Sequence, residues 1–152
     1  MTIIIDSREK KPLRIRQFNT EVSGLPVGDY GIKGFSDWDN PQFVAERKGI
    51  DDLIGSVTSG RARFLREIQK LRQFGFACIL VEALRDQVVT GQYVSEANPN
   101  SVLATLDAIV VRAGIHLIWC DGRRGMADQL ESLVRQFIRG IEKDITRLGR
   151  AK

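Results

Sequence analysis

The chain has 152 residues, of which 43% are hydrophobic and 28% are charged, and these totals predict one globular domain. They exclude a membrane-spanning segment, because no apolar run approaches the roughly 20 residues that cross a bilayer, and a Cys/His zinc site, because there is one His. The formal net charge of +4 indicates an anionic partner only weakly.

The first third of the chain predicts three short strands. The β-branched run at residues 2–6 predicts the first, and Pro12 ends it. A turn rich in Gly and Pro feeds a second strand near residues 30–33, and residues 42–48 form the third. We expect these strands to form an antiparallel or mixed meander.

The hydrophobic period then changes to that of a helix. Apolar residues recur at steps of three and four from Asp51 to Phe74, with small residues predicting a break at 56–61. Gly75 ends the helix, and the continuous apolar run at 76–83 predicts a strand covered on both faces.

The remaining chain predicts two more helices and one more strand. A polar loop leads to a helix at 101–113 with Gly114 as its stop signal, and a buried strand follows at 115–121. A long amphipathic helix is predicted from about Met126 to Leu148. The pattern predicts an α/β fold with a mixed central sheet flanked by helices.

Several single residues are interpreted by their surroundings. Cys78 and Cys120 lie in apolar runs, so buried reduced thiols are favoured over a bridge between them. The N-terminus lacks the apolar core of a signal peptide, which favours an intracellular protein. His116 is interpreted as a core residue, and Trp38 as packed under its turn rather than stacked on a base.

Acidic residues fall where predicted elements end or begin. Asp6 ends the first strand, Asp29 follows a Gly, and Asp52 opens the first helix. Glu46 and Lys48 point to one face of the third strand, because side chains alternate. Carboxylates suit Mg²⁺, and a Lys beside them suits phosphodiester hydrolysis. A solvated strand end with an acid at the helix start is the alternative for this pattern.

Four segments occur in order: "IIIDSREKKP", "LPVGDY", "VAERKGIDDL" and "SGRARFLREIQKL". Together they resemble the nuclease domain of the XPF-type (ERCC4-domain) structure-specific endonucleases. That family's signature is a Gly-Asp pair, then Glu-Arg-Lys, three residues and Asp, found here at 28–29, 46–48 and 52. The resemblance implies a restriction-endonuclease-like core of the PD-(D/E)xK superfamily. We expect a single nuclease domain over 1–152, with no helix-hairpin-helix or helicase domain, which would depart from the usual organisation of that family.

The resemblance assigns roles to the signature residues. Asp29, Glu46 and the backbone carbonyl of Arg47 would hold Mg²⁺ or Mn²⁺. Lys48 would lie beside the scissile phosphate, and Asp52 would belong to the same cluster. Strand alternation turns the Arg47 side chain away, so either the strand twists there or Arg47 supports an acid on the opposite face.

Other residues would border this site or contact DNA. Asp6 and Arg8 match the family's Asp-x-Arg-Glu segment, with Glu9 as a weaker candidate, and Asp51 is interpreted as solvent-facing. The residues expected to contact DNA are Arg8, Lys10, Arg61 and Arg63.

The function implied is divalent-metal-dependent cleavage of branched, flapped or forked DNA. Two alternatives stay open: a non-catalytic partner subunit, and a restriction-type or Holliday-junction nuclease that shares the core. We also expect a homodimer through the C-terminal helices, using the long apolar row of the last helix and residues 102–110. The expected setting is cytoplasmic and nucleoid-associated, in a bacterium or phage.

Overall fold

The structure is a computed structural model that describes residues 1–150. The strands are β1 (Thr2–Asp6), β2 (Asn19–Ser23), β3 (Tyr30–Ile32), β4 (Ser36–Asp37), β5 (Asn40–Pro41), β6 (Phe43–Gly49), β7 (Phe76–Glu82) and β8 (His116–Cys120). The α-helices are α1 (Ile50–Val57), α2 (Arg61–Leu71), α3 (Arg85–Val89), α4 (Pro99–Ala108) and α5 (Gly122–Arg150). A π-helical turn, Ile109–Ala113, extends α4.

Six strands form one mixed sheet in the order β2-β1-β3-β6-β7-β8, and β4 and β5 form a separate hairpin. Strands β6, β7 and β8 are parallel to one another, whereas β3 is antiparallel to both of its neighbours. The prediction of an α/β fold with a mixed central sheet and flanking helices is confirmed.

The sheet has a hydrophobic core on each face. Side chains alternate along β6, so Val44 packs with α1, α2 and α4 while Phe43 and Ala45 pack with α5. The same alternation along β7 buries both of its faces, as predicted. Burial raises the pKa of the Cys78 thiol to about 12. Cys78 and Cys120 are buried free thiols, as predicted.

The strand at residues 19–23 was not predicted. All five residues of β2 are exposed, and the strand pairs in parallel with β1 at the edge of the sheet. Because no face of β2 is buried, its sequence lacks the alternation that marks a strand. It is held by backbone pairing with β1.

The helices correct several predicted boundaries. The predicted break divides α1 from α2, and Gly114 ends the π-helical turn with a φ of 68°. The predicted polar loop contains α3, and α5 begins at Gly122 rather than Met126. Among residues 1–150, no helix combines the length and hydropathy needed to cross a membrane.

Two aromatic interpretations have different outcomes. The prediction that His116 is a core residue is wrong: the side chain is exposed and stacks on Phe76 with 5.0 Å between ring centroids. It is exposed because β8 is an edge strand. The interpretation of Trp38 as a packed residue holds in part: its ring contacts Phe74 with 5.5 Å between centroids, but the side chain is half exposed.

Part of the predicted dimer surface is used within the chain. Val102, Leu106 and Ile109 are buried in the core against α1 and α2. These residues face the sheet because α4 covers it, so they are not available to a second copy. The exposed apolar side chains near the end of α5 are Ile145 and Leu148, at 64% and 69%.

A buried carboxylate ties the chain before β2 to α5. Glu131 is 3% exposed and accepts hydrogen bonds from the backbone N–H groups of Arg16 and Gln17, at 2.8 and 3.1 Å. Glu131 thus adds a buried polar contact to a segment whose Leu13, Ile15 and Phe18 side chains pack on the core beside α5.

Replacing Glu131 with Gln is expected to lower the free energy of unfolding by about 1 to 3 kcal/mol. The new amide NH₂ would face a backbone N–H and leave it without an acceptor. Urea denaturation measures the loss, and Glu142→Gln, on the exposed end of α5, is the control. Equal stability of the two variants would contradict this account.

Candidate active site

The site forms where β6 leaves the core. The first three residues of β6 are buried and its last four are half-buried, so Glu46, Arg47 and Lys48 lie where the strand emerges. Helix α1 begins at the next residue and has Asp51 and Asp52 in its first turn. This strand-to-helix junction therefore concentrates charge at one edge of the sheet.

Gly28 lets Asp29 approach β6. It has a φ of 79°, and a Cβ there would lie 2.4 Å from Val44 Cγ2 and 3.1 Å from the Ala45 carbonyl oxygen. No larger residue fits without displacing β6. The Asp29 N–H donates to the Ala45 carbonyl at 2.9 Å, and the Asp29 carbonyl accepts from the Asp6 N–H at 2.8 Å. The Gly-Asp pair thus places one carboxylate beside the strand that has Glu46.

Asp29 and Glu46 form a carboxylate pair with few donors. Asp29 Oδ2 accepts from the Arg47 N–H at 2.7 Å. Among the described residues no donor reaches the Glu46 carboxylate, whose nearest cation is the Lys48 ammonium at 3.9 Å. Burial, and then the charge of Asp29, raise the pKa of Glu46 to about 8. Burial also raises the pKa of Asp29, although the hydrogen bond from the Arg47 N–H acts to lower it.

Lys48 lies on the same face of β6 as Glu46, as strand alternation predicts. Its ammonium lies 5.2 Å from the centroid of the Phe64 ring, which α2 places beside the site. The Lys48 side chain is 12% exposed. Phe64 and Glu46 therefore restrict the ammonium to the rim of the carboxylate pair.

The Arg47 side chain lies on the opposite face and pairs with Glu9. Its Nε and Nη2 donate to the two Glu9 oxygens at 2.9 and 2.8 Å. The Tyr30 hydroxyl donates to the same carboxylate at 3.4 Å. Burial acts to raise the pKa of Glu9, but the Arg47 hydrogen bonds hold it below its ordinary value. Of the two alternatives for Arg47, the structure shows the second: the side chain lies on the opposite face and supports an acid, Glu9.

The Glu9→Gln variant is expected to lose about 2 to 3 kcal/mol of unfolding free energy, because it leaves a largely buried guanidinium without its counter-ion. The matched control is Glu21→Gln. Glu21 pairs with Lys33 at the same 2.8 Å, but both side chains are exposed, so its loss should stay below about 1 kcal/mol. Chemical denaturation compares the two, and losses of equal size would contradict the assigned role.

Asp6 and Arg8 stabilise the loop behind the site. Asp6 is 2% exposed, and its carboxylate accepts from the Leu25 N–H and from Arg8 Nε, each at 2.8 Å. Arg8 also donates to the Leu25 carbonyl at 3.0 Å. Burial acts to raise the pKa of Asp6, and these hydrogen bonds lower it below its ordinary value. Both carboxylate oxygens of Asp6 therefore already accept hydrogen bonds, and they hold the loop that leads to Gly28.

An open cleft of about 490 Å³ contains the site. Of the predicted site residues it is lined by Glu9, Asp29, Glu46, Arg47, Lys48, Asp52 and Arg63. Lys10 and Arg61 are not in this lining; Arg61 donates to the Thr105 hydroxyl at 3.4 Å. Asp51 is exposed, as predicted; it also lines the cleft and accepts from the Val94 N–H at 3.0 Å.

Several residues of the cleft lining were not predicted, and two of them lie beside Glu46 and Lys48. Phe64 and Glu67 of α2 line the cleft, and the Glu67 charge contributes to the raised pKa of Glu46. They are three residues apart on one helix face, which could have indicated that α2 presents both to the same side.

The donor set suits a hard divalent cation. No group of three His, Cys, Asp or Glu side chains is arranged for a metal among residues 1–150. Mg²⁺ commonly takes one or two carboxylates and completes its shell with waters and phosphate oxygens. Asp29 and Glu46, with few donors of their own in an open cleft, match that requirement.

Comparisons with known proteins show which family the sequence matches. The sequence model of the ERCC4 domain matches residues 5–133. The DNA repair endonuclease XPF of Cricetulus griseus is 25% identical over 142 residues, covering 87% of this chain and 15% of that protein. The Drosophila melanogaster protein of the same name is 29% identical over 143 residues, covering 86% and 14%. The chain thus spans about 15% of the length of these relatives.

Solved structures show the same fold. XPF from Aeropyrum pernix superposes with a TM-score of 0.70 at 22% identity, over 90% of this chain and 61% of that one. Its complex with DNA gives 0.68 at 22% identity, over 91% and 66%. The predicted family and the predicted α/β fold with a mixed central sheet are confirmed. With its Gly-Asp and Glu-Arg-Lys segments joined in one cleft, the chain belongs to the ERCC4 domain family.

Proposed function

We propose that this chain is a DNA endonuclease that depends on Mg²⁺ or Mn²⁺ and cleaves branched, flapped or forked DNA. The observation that carries this proposal is the carboxylate pair. Glu46 is half-buried beside Asp29, and among the described residues its carboxylate accepts no hydrogen bond. A carboxylate in that environment needs a cation to stay ionised at neutral pH.

The residues of the cleft would divide the chemistry. Asp29 and Glu46 would hold the cation, with the Arg47 carbonyl as a third ligand; when bound, the cation would polarise the phosphodiester and acidify a water. Lys48 would face the negative charge that develops on the phosphate. The Arg47 N–H holds Asp29 in place. Asp52, exposed at the cleft rim, would orient water or a second cation.

DNA as the substrate is supported by the relatives and by the cations near the cleft. The related proteins are named DNA repair endonucleases, and one structural neighbour was solved with DNA. Arg8, Lys10 and Arg63 are exposed on or near the site and would contact phosphates. Arg61, the first residue of α2, would contact DNA outside the cleft lining. A DNA enzyme of this kind would work in the cytoplasm beside the nucleoid.

A homodimer through the C-terminal helices completes the proposal. Ile145 and Leu148 are exposed on α5, and Val111 is 82% exposed after α4. An Ile145→Ser, Leu148→Ser double variant should therefore sediment as a monomer while the wild type sediments as a dimer. A monomeric wild type in analytical ultracentrifugation would contradict this part.

The substrate class is tested with a panel of labelled DNAs. The purified protein is incubated with Mg²⁺ or Mn²⁺ and with flap, fork, four-way junction and plain duplex of matched sequence. Faster cutting of flap and fork supports the proposal, and preference for the four-way junction or plain duplex would support the other nuclease classes. Activity only after another subunit is added would support a non-catalytic partner.

A further inference from the structure

A second pocket, outside the cleft, is lined mainly by arginines. It has a volume of about 270 Å³ and lies between the chain after β1 and the start of α5. Its charged lining residues are Arg14, Arg16, Arg123, Arg124 and Asp128. Among residues 1–150, Arg14, Arg16 and Arg124 make no ion pair. Four guanidinium groups therefore surround one carboxylate, and we call this the arginine pocket.

The backbone of the arginine pocket is fixed from both sides. Arg123 Nη2 donates to the carbonyls of Lys11 and Pro12 at 2.8 and 3.0 Å, which joins α5 to the chain after β1. Glu131 holds the Arg16 N–H from the same helix. Clustered like charges are costly without an anion between them. All four arginines are exposed, but the Arg123 hydrogen bonds and the buried Glu131 carboxylate hold the two backbone segments together, so the fold presents the cluster in one arrangement that an anion can bind.

The arginine pocket and the cleft lie at the same edge of the sheet. Parallel pairing aligns Gly49 with Glu82 and Glu82 with Cys120, so β6, β7 and β8 end together. Helix α1 follows β6 on one side of that edge, and α5 follows β8 on the other. The segment after β1 connects the two sites, because Glu9 pairs with Arg47 in the cleft.

The separation suits a DNA duplex. Arg14 is five residues after Glu9, and five residues span at most about 17 Å. At about 3.4 Å per base pair, that upper limit corresponds to roughly five base pairs, so the two sites lie within reach of one short duplex. A guanidinium fork matches phosphate oxygens better than an ammonium does. Phosphates of a duplex lying in the cleft can therefore reach the arginine pocket.

We propose that the arginine pocket binds a backbone phosphate of the duplex beside the scissile phosphate and so sets the direction in which the duplex leaves the cleft. The direction assigned to the duplex rests on the proposed function, because it is defined relative to the scissile phosphate. Phosphate binding by the arginine pocket is measured without cleavage. An acidic protein segment is the competing occupant, and the test below separates it from DNA.

The test is DNA affinity in EDTA, where no cutting occurs. Fluorescence anisotropy with a labelled duplex of about 30 base pairs gives Kd over a range of salt concentrations. The pocket variant is Arg14→Gln with Arg124→Gln. The matched control is Arg72→Gln with Arg112→Gln, two exposed arginines near the N-terminal ends of β7 and β8, at the opposite edge of the sheet. Both variants change the net charge equally.

We expect the pocket variant to bind about tenfold more weakly near 0.1 M salt and to lose about 1.8 from the slope of log K against log salt. The control should keep both values. Replacing Arg14 and Arg124 with Lys should keep the slope, because the charges remain. Unchanged circular dichroism spectra would show that the variants fold.

Each other outcome is decisive. Equal affinity of the pocket variant and the control overturns the inference. If wild type still cuts DNA in that case, the proposed function stands alone. Weakened binding by the pocket variant, in a protein that never cuts DNA, upholds the arginine pocket and rejects the endonuclease. A wild type that binds no DNA overturns both.

Discussion

The Asp29→Asn variant is expected to cleave DNA about 10³-fold more slowly than wild type in single turnovers, because it loses a charged ligand of the proposed cation. Asn keeps the size of the side chain and an oxygen that accepts from the Arg47 N–H. The fold and the position of β6 should therefore survive. Removing a negative charge that faces phosphate should leave DNA affinity unchanged or a few-fold tighter.

A second active-site variant and a control variant accompany Asp29→Asn. Lys48→Ala should show a comparable loss of cleavage with DNA binding largely intact, because the ammonium contributes to the chemical step. Glu142→Gln, an exposed acid on α5, is the charge-matched control and should cut normally. Wild-type rates for Asp29→Asn or Lys48→Ala would contradict the roles assigned to these residues.

The protein in EDTA is expected to lose stability as the pH rises from about 5 to 8. The pKa of Glu46 is raised from 4.5 to about 8 in the folded state. Between those values the folded state holds a proton that the unfolded state has released, so stability is full below the lower pKa and falls towards the upper one. Glu46→Gln should remove most of this dependence and stabilise the protein by roughly 3 kcal/mol at pH 8.

The groups around Glu46 set the size of this effect. Asp29 and Glu67 raise its pKa, and Lys48 and Arg8 oppose them. Asp29, whose pKa burial also raises, adds a contribution of the same sign. Urea denaturation at several pH values measures the effect, again with Glu142→Gln as control. A wild type equally stable at pH 5 and pH 8 would contradict it. The Glu46→Gln variant should also be inactive, because the proposal assigns the same carboxylate to the cation.

Part of the candidate site could be predicted from local sequence, whereas the pairing of Asp29 with Glu46, which are not neighbours in sequence, was implied by the resemblance to the ERCC4-domain signature. Glu46 and Lys48 are two residues apart on one strand, and strand alternation alone puts them on one face. Gly28 precedes Asp29 directly, and its positive φ is a property of the turn itself. The break between α1 and α2 was likewise visible in a short run of small residues.

What was missed depends on contacts between distant parts of the chain. Glu9 and Arg47 are 38 residues apart, and strand alternation could exclude a face for Arg47 but could not supply its partner. The Arg123 bonds to the chain after β1 join residues more than 100 positions apart. Strand β2 and exposed His116 follow from sheet order, which places them at the two edges. Hydrophobic periodicity predicts which face of a strand or helix is buried, but not which other elements pack against that face.

The central claim is that Asp29 and Glu46 form a cation-dependent cutting site. Its most direct measurement is cleavage of one end-labelled flap DNA by wild-type protein in EDTA, followed by addition of excess Mg²⁺ or Mn²⁺. The account predicts intact DNA in EDTA and a discrete cut product after the cation is added. Cutting in EDTA, or no cutting by folded protein with either cation, would contradict it.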